Sequence, residues 1–347
     1  MSAPGRKRRI VICEDQRSFA VALAKFLEQD EQIEVVGSFP SAESMLPALG
    51  GLDPDLVTMD LEMPGMGGVA AIEEIMRTQP LPILVISSHA GKGSVRAAEA
   101  LGAGALEAMA KSSLPLARAD DVWATAARSR IKRLATVRLG PAKPDSRGPT
   151  SDPDQRLDRS ASVVGIGAST GGPPALLEVL GRLPGDFPLP LMIVQHMPAS
   201  FVAGLVAWLE REISLPVRIA SDGADLEPGV WFGAGDADLM LDDSMRIKID
   251  EDGDGVHRPS VDVLFASLAR VAGKEAVGIV LTGMGRDGAQ GAAAIRQAGG
   301  LVITQDEASS AVFGMPAAVA EGGPSAVLPL DEISAALMRL QAREPAR

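Results

Sequence analysis

Between Arg9 and Lys111, short apolar runs alternate with stretches of helical periodicity, and that alternation leaves few folds open. The runs IVIC, IEVVG, LVTM, ILVIS and ALEAMA are apolar almost throughout rather than at every second residue. A strand of that kind is covered on both faces, the condition of a parallel sheet flanked by helices. Five such strands with intervening helices describe a doubly wound, flavodoxin-like α/β domain over residues 8–125. A helical stretch follows, from about residue 119 to 137. The segment GPAKPDSRGPTSDPDQRLDRS after it has no apolar periodicity and is rich in Pro, Gly, Ser and Asp. Residues 126–160 therefore read as a helix end running into a flexible interdomain linker, the linker proper over 138–160. A surface loop is the simpler alternative, but a second α/β pattern begins directly after it.

The second pattern spans residues 161–345 and is expected to form another doubly wound, Rossmann-like parallel sheet. SVVGIG precedes PPALLEVLGRL, and PLMIVQ precedes SFVAGLVAWLERE. Residues 216–258 differ, with short β segments and turns. Alternation resumes with VDVLFASLARVA, AVGIVL, GAQGAAAIRQAG and LVITQ, and a last helix starts at Asp331.

Composition narrows the function. The single cysteine, Cys13, excludes an internal disulfide and fits a reducing, cytoplasmic setting. No apolar run is long enough for a bilayer, and the N-terminus lacks a secretory apolar core. A formal charge of −12 argues against general nucleic-acid binding. Only His89, His196 and His257 are available as imidazole bases.

In open parallel sheets, functional groups collect beyond the C-terminal strand ends. In the first domain strand one ends in Glu14 and Asp15, strand three in Asp60, strand four in Ser87 and Ser88, and strand five meets Lys111. Any one of these acids alone reads as a solvated strand end. Together, three carboxylates repel unless a cation lies among them, and hard oxygen ligands suit Mg²⁺, with Glu14, Asp15 and Asp60 as its ligands. A carboxylate beside Mg²⁺ can attack phosphorus and become an acyl phosphate. Lys111 and the Ser87 hydroxyl would then hold the phosphoryl oxygens. These residues, with MDLEMPGMGG and SSHAGKG, resemble the receiver domains of two-component signalling over about residues 8–118. The resemblance implies Asp60 as phosphoacceptor, Ser87 as switch hydroxyl and a histidine kinase as phosphodonor. Glu14 stands where Asp is commoner, Ala108 where the family has an aromatic residue, and Ser112 where it has proline.

The second domain opens with VVGIGASTGGPPALLEVL, a buried strand turning through glycines into a helix with early prolines. The turn places Ser169 at a helix N-terminus, where local N–H groups favour a developing oxyanion. The same turn fits a phosphate cradle or mere tight packing equally well, although Thr170 occupies the third glycine position of a dinucleotide fingerprint. His196 follows the strand PLMIVQ, and Asp287 follows AVGIVL within TGMGRDG. A lone histidine at a strand end is ordinarily structural, and Asp287 is a natural helix cap. With Ser169 they make the set a serine hydrolase needs: nucleophile, proton-transferring imidazole and orienting acid. Their chain order matches none of the familiar serine-hydrolase orders.

GIGASTGG, VQHMP, HRPSVDVLF, LTGMGRDGA and QDEASSAVFGMP resemble, in order, the catalytic domain of the chemotaxis protein-glutamate methylesterases. The resemblance implies Ser169 as nucleophile, His196 as general base and Asp287 as its orienting acid, with Thr170 and Met284 flanking the site. It implies demethylation of glutamate methyl esters on methyl-accepting chemotaxis receptors, deamidation of selected glutamines, and sensory adaptation. It also implies activation by phosphorylation, the unphosphorylated receiver blocking the cleft, and an esterase without cofactor. His257 and Arg258 belong to HRPSVD or simply anchor a loop. GAGDAD departs from the family segment A-P-x-D-x-H, with Asp238 in place of histidine. The rival readings are a non-catalytic phospho-switch, a nucleotide-binding regulator and, less well supported, a DNA-binding output domain.

Overall fold

The computed structural model describes residues 6–88, 95–116, 122–139, 159–252 and 258–342. Most of the expected linker, with His89 and His257, lies outside the described residues. The chain divides into two compact units, Met1–Pro141 and Ala142–Arg347.

The first unit alternates strand and helix as its apolar pattern demands. Its strands are β1 (Arg8–Cys13), β2 (Ile33–Phe39), β3 (Leu56–Met59), β4 (Ile83–Ser87) and β5 (Glu107–Ala110). Its helices are α1 (Arg17–Leu27), α2 (Ala42–Leu52), α3 (Gly67–Thr78), α4 (Val95–Gly102) and α5 (Val122–Leu134). The strands form one parallel sheet in the order β2-β1-β3-β4-β5. Helix α1 shows why the pattern folds this way: Ala20, Leu23 and Leu27, spaced three and four apart, are buried with Phe26. The Ser41 side chain accepts the Ser44 N–H and so caps α2. The strand order reverses direction at β1, which opens a crevice between the tips of β1 and β3.

The second unit contains β6 (Ser160–Ala161), β7 (Val163–Ala168), α6 (Gly172–Leu180), β8 (Pro190–Gln195), α7 (Ala199–Glu212), β9 (Val217–Ile219), β10 (Gly229–Phe232), β11 (Asp238–Leu241) and β12 (Ile247–Asp250). It continues with α8 (Val261–Ala272), β13 (Ala276–Val280), α9 (Ala289–Gln297), β14 (Leu301–Gln305), α10 (Met315–Glu321), β15 (Ala326–Leu328), α11 (Leu330–Met338) and β16 (Gln341–Ala342). Seven strands form a parallel sheet in the order β15-β14-β13-β7-β8-β10-β9. The irregular stretch after residue 216 thus contributes two parallel strands to the main sheet, while β11 and β12 pair as a separate antiparallel hairpin. Helix α8 lays Val261, Leu264, Phe265 and Leu268 into the core with Val163 and Val280 of the sheet. Here the order reverses at β7, so the crevice lies among the tips of β13, β7 and β8. No described helix is long and apolar enough to cross a membrane.

Candidate active site

In the first unit the strand-tip residues converge. Glu14 follows β1, Asp60 follows β3, Ser87 ends β4 and Lys111 follows β5. The Lys111 ammonium donates to Glu14 Oε1 at 2.7 Å and to Asp60 Oδ2 at 2.8 Å. It also lies 4.7 Å from the centre of the Phe19 ring. Burial alone would lower the Lys111 pKa, but the two carboxylates outweigh it and raise the value. Glu14 is pushed up, first by burial and then by the Asp60 charge, against the pull of Lys111. Carboxylate oxygens of Glu14, Asp15 and Asp60 lie within 4.8 Å of one another, a set of hard ligands of the right kind for Mg²⁺. Ser87 is buried beside Ala110 in register, Ala108 is buried on β5, and Ser112 is exposed. The neighbouring Cys13 thiol is pushed up to about 12, first by burial and then by Asp60 and Glu14, so it stays protonated and unreactive.

In the second unit, β7 and β8 pair so that Ala168 faces Gln195, and the next residues, Ser169 and His196, leave adjacent strand tips. The His196 N–H donates to the Ala168 carbonyl at 2.9 Å. The Ser169 N–H is taken by Thr282 O on the β13 side, at 3.0 Å. The Ser169 carbonyl accepts from Gly172 N and from Gln195 Nε2, both at 2.8 Å. The nucleophile candidate's own N–H is therefore not an oxyanion donor. Pro173 and Pro174 also remove two amides from the first turn of α6, which counts against a phosphate cradle there. The Ser169 side chain is half-buried, and its hydroxyl makes no hydrogen bond among the described residues.

His196 Nε2 lies 2.8 Å from Asp287 Oδ2, across 91 positions of sequence. The sequence reads Asp287 as the acid that orients His196, with a cap on the helix that follows it as the plain alternative. Gly288 is the N-cap residue of that helix, α9, and most of the Asp287 carboxylate's bonds go to the start of α8. Its Oδ1 accepts from Ser260 Oγ at 3.0 Å, Asp262 N at 2.9 Å and Gly288 N at 3.0 Å. Its Oδ2 accepts from Val261 N at 2.8 Å as well as from His196. Burial would raise the carboxyl, but the bonds from His196, Asp262 and Val261 prevail and hold it well below the usual carboxylate range. The Asp262 carboxyl beside it is pushed up, first by burial and then, among other causes, by the Asp287 charge.

Thr170 is buried at the turn, and its carbonyl accepts the Thr282 hydroxyl at 3.0 Å. Met284 is half-buried on the loop after β13. Next to it, a side chain on Gly283 would come 2.8 Å from the Ser169 Cβ, so the loop approaches the serine only because glycine stands there. Arg258 holds the Glu251 carbonyl at 2.9 Å, the loop-anchoring alternative. Asp238 is buried and accepts the Ser260 N–H at 2.7 Å, so it supports the α8 N-terminus rather than lining an open rim. Three supporting residues were not singled out from the sequence: Gln195, Ser260 and Thr282. Each lies inside a quoted stretch (VQHMP, HRPSVDVLF, LTGMGRDGA), but nothing in the spacing assigns it a partner.

Residues 164–337 match the family model of the CheB methylesterase, and residues 10–116 that of the response regulator receiver domain. The chain belongs to the CheB methylesterase family. Among CheB relatives, a protein-glutamate methylesterase/protein-glutamine glutaminase of Caulobacter vibrioides is 39% identical over 325 residues, covering 91% of this chain and 93% of that protein. One from Myxococcus xanthus is 40% identical over 315 residues, covering 90% and 88%. The crystal structure of the Thermotoga maritima CheB methylesterase catalytic domain is 37% identical, with a TM-score of 0.50, covering 52% of this chain and 98% of that one. The Rossmann-like second unit is thus a CheB catalytic fold, and the first unit is a receiver.

Proposed function

We propose that the protein is a phosphorylation-activated serine hydrolase that demethylates glutamate γ-methyl esters on methyl-accepting chemotaxis receptors and deamidates selected glutamines there, giving sensory adaptation. The observation that carries this reading is the His196–Asp287 contact beside the turn that presents Ser169. Ser169 attacks the ester carbonyl, and the imidazole takes its proton. Because Nε2 is paired with Asp287, the basic nitrogen in this reading is Nδ1. The imidazolium is stabilised by Asp287 and passes the proton to the departing methoxide, so methanol leaves. Water then enters, gives its proton to His196 and attacks the acyl-enzyme; glutamate is released as the imidazolium returns the proton to the Ser169 oxygen. Thr170 and Met284 flank the reacting centre. Labelled methanol released from methylated receptors by wild type, and not by Ser169→Ala, is the expected result; equal release from both would remove the reading.

Asp60 is the proposed phosphoacceptor, with a chemotaxis histidine kinase as donor in the cytoplasm. Glu14, Asp15 and Asp60 would hold Mg²⁺, which supplies charge neutralisation for phosphoryl transfer. Lys111 and Ser87 would bind the phosphoryl oxygens. The unphosphorylated receiver restrains the hydrolase, and modification of Asp60 relieves it. Chelation of the metal is expected to abolish phosphorylation by acetyl phosphate.

A further inference from the structure

We propose that Gln195 is a positioning residue that sets the nucleophile and the base against each other, an inference that rests on the hydrolase reading of Ser169 and His196. Gln195 ends β8 and is buried. Its single amide nitrogen donates to two main-chain carbonyls, Ser169 O at 2.8 Å and His196 O at 3.1 Å. Those two N–H groups are all the donors the side chain has. The amide oxygen, by contrast, is buried without a hydrogen-bond partner among the described residues. Turning the amide over would not relieve it, because Oε1 would then face the same two carbonyl oxygens. The orientation is thus fixed by the two bonds and kept despite an unmatched acceptor.

Space for the amide is set by Gly172. A side chain on Gly172 would put its Cβ 1.9 Å from Gln195 Oε1 and 2.8 Å from Cδ. The glycine after the serine turn thus leaves room for the group that clamps it. By holding the peptide that follows Ser169 and the one that follows His196, Gln195 fixes the direction in which both side chains leave their strand tips. Proton transfer is sensitive to small misplacements of its partners, about a hundredfold in rate for 1 Å. Gln195 touches none of the reacting atoms and acts only through the two residues it holds.

The test uses the full-length protein, methylated receptors and a fluorophosphonate probe for the reactive serine. Gln195→Met keeps the length and removes both donors. The expected result is a fall in kcat of about tenfold to a hundredfold with KM changed less than about twofold, a parallel fall in the rate of Ser169 labelling, and a retained cooperative melt. Gly172→Ala displaces the amide without altering it, so it is expected to do the same. A double variant joining Gly172→Ala to Gln195→Ala, in which no side chain remains for the new methyl to displace, is expected to be no worse than the poorer single. Wild-type kcat in Gln195→Met, or losses that add in the double variant, would overturn the proposal. If Gln195→Met does not melt cooperatively, Gly172→Ala alone decides, wild-type kcat overturning the proposal and a kcat loss at constant KM supporting it. A wild-type protein that releases no methanol and leaves Ser169 unlabelled would overturn the hydrolase reading instead.

Discussion

Asp287 turns its carboxylate toward His196 and the start of α8 while keeping one bond to Gly288, the N-cap residue of the helix it precedes. The contact at 2.8 Å is held by a frame that does not depend on the histidine, since Ser260 Oγ and the N–H groups of Val261, Asp262 and Gly288 all point at the same carboxylate. Two of those N–H groups belong to the first turn of α8, which otherwise lacks partners for them and favours negative charge. Capping a helix and orienting an imidazole are therefore one function of one side chain. The acid is ionised and fixed before the serine gives up its proton, which is the preorganisation that such catalysis needs.

Asp287→Asn is expected to lower kcat about 10³- to 10⁴-fold. It also changes stability in a pH-dependent way. The Asp287 pKa is depressed in the folded state, so its stabilisation is present above the ordinary carboxylate range and is lost as pH falls through the depressed native value. The gap in denaturant midpoint between wild type and Asp287→Asn should be wide at about pH 7, only partly narrowed at about pH 3, and closed further only as the pH falls below that. Denaturation of the second unit at both pH values checks this; a gap of constant width would contradict it.

Ser260→Ala removes the Ser260 Oγ–Asp287 bond and the side-chain cap of α8. A loss of about 1–2 kcal/mol in stability is expected, with a smaller fall in kcat than in Asp287→Asn because three backbone donors still hold the carboxylate. Thermal melts beside initial rates separate the two effects. A variant as inactive as Asp287→Asn would show that the backbone frame is insufficient.

Lys111→Met leaves the buried carboxylates of Glu14 and Asp60 without the ammonium that bridges them. Breaking a buried pair in this way costs about 3–5 kcal/mol. The receiver transition is expected to fall in metal-free buffer and to recover on adding Mg²⁺ by more than wild type gains. Melts with and without magnesium chloride decide it; equal gains would argue that the metal does not sit among these carboxylates.

Much of this molecule was legible in its apolar runs, because strands buried on both faces leave little choice but a parallel sheet flanked by helices. Placing Glu14, Asp60, Lys111, Ser169 and His196 at strand tips required only the ends of those runs. What could not be read depended on tertiary contact. Nothing near Asp287 in sequence shows that its partners come from Ser260–Asp262, or that Nε2 rather than Nδ1 would face it. Asp238 read only as a departure from the family segment, whereas in the fold β11 carries it to the α8 N-terminus, where it accepts the Ser260 N–H. The Gln195 amide was invisible for the same reason: its two acceptors are main-chain atoms, which leave no mark in side-chain pattern.

The most direct measurement is the rate of methanol release from methylated receptors before and after acetyl phosphate, in wild type, Asp60→Asn and Ser169→Ala. A rate that rises on phosphorylation in wild type, stays at its basal level in Asp60→Asn and vanishes in Ser169→Ala is the expected result. Release from Ser169→Ala at the wild-type rate, or equal activation of Asp60→Asn, would contradict a receiver at Asp60 governing a hydrolase at Ser169.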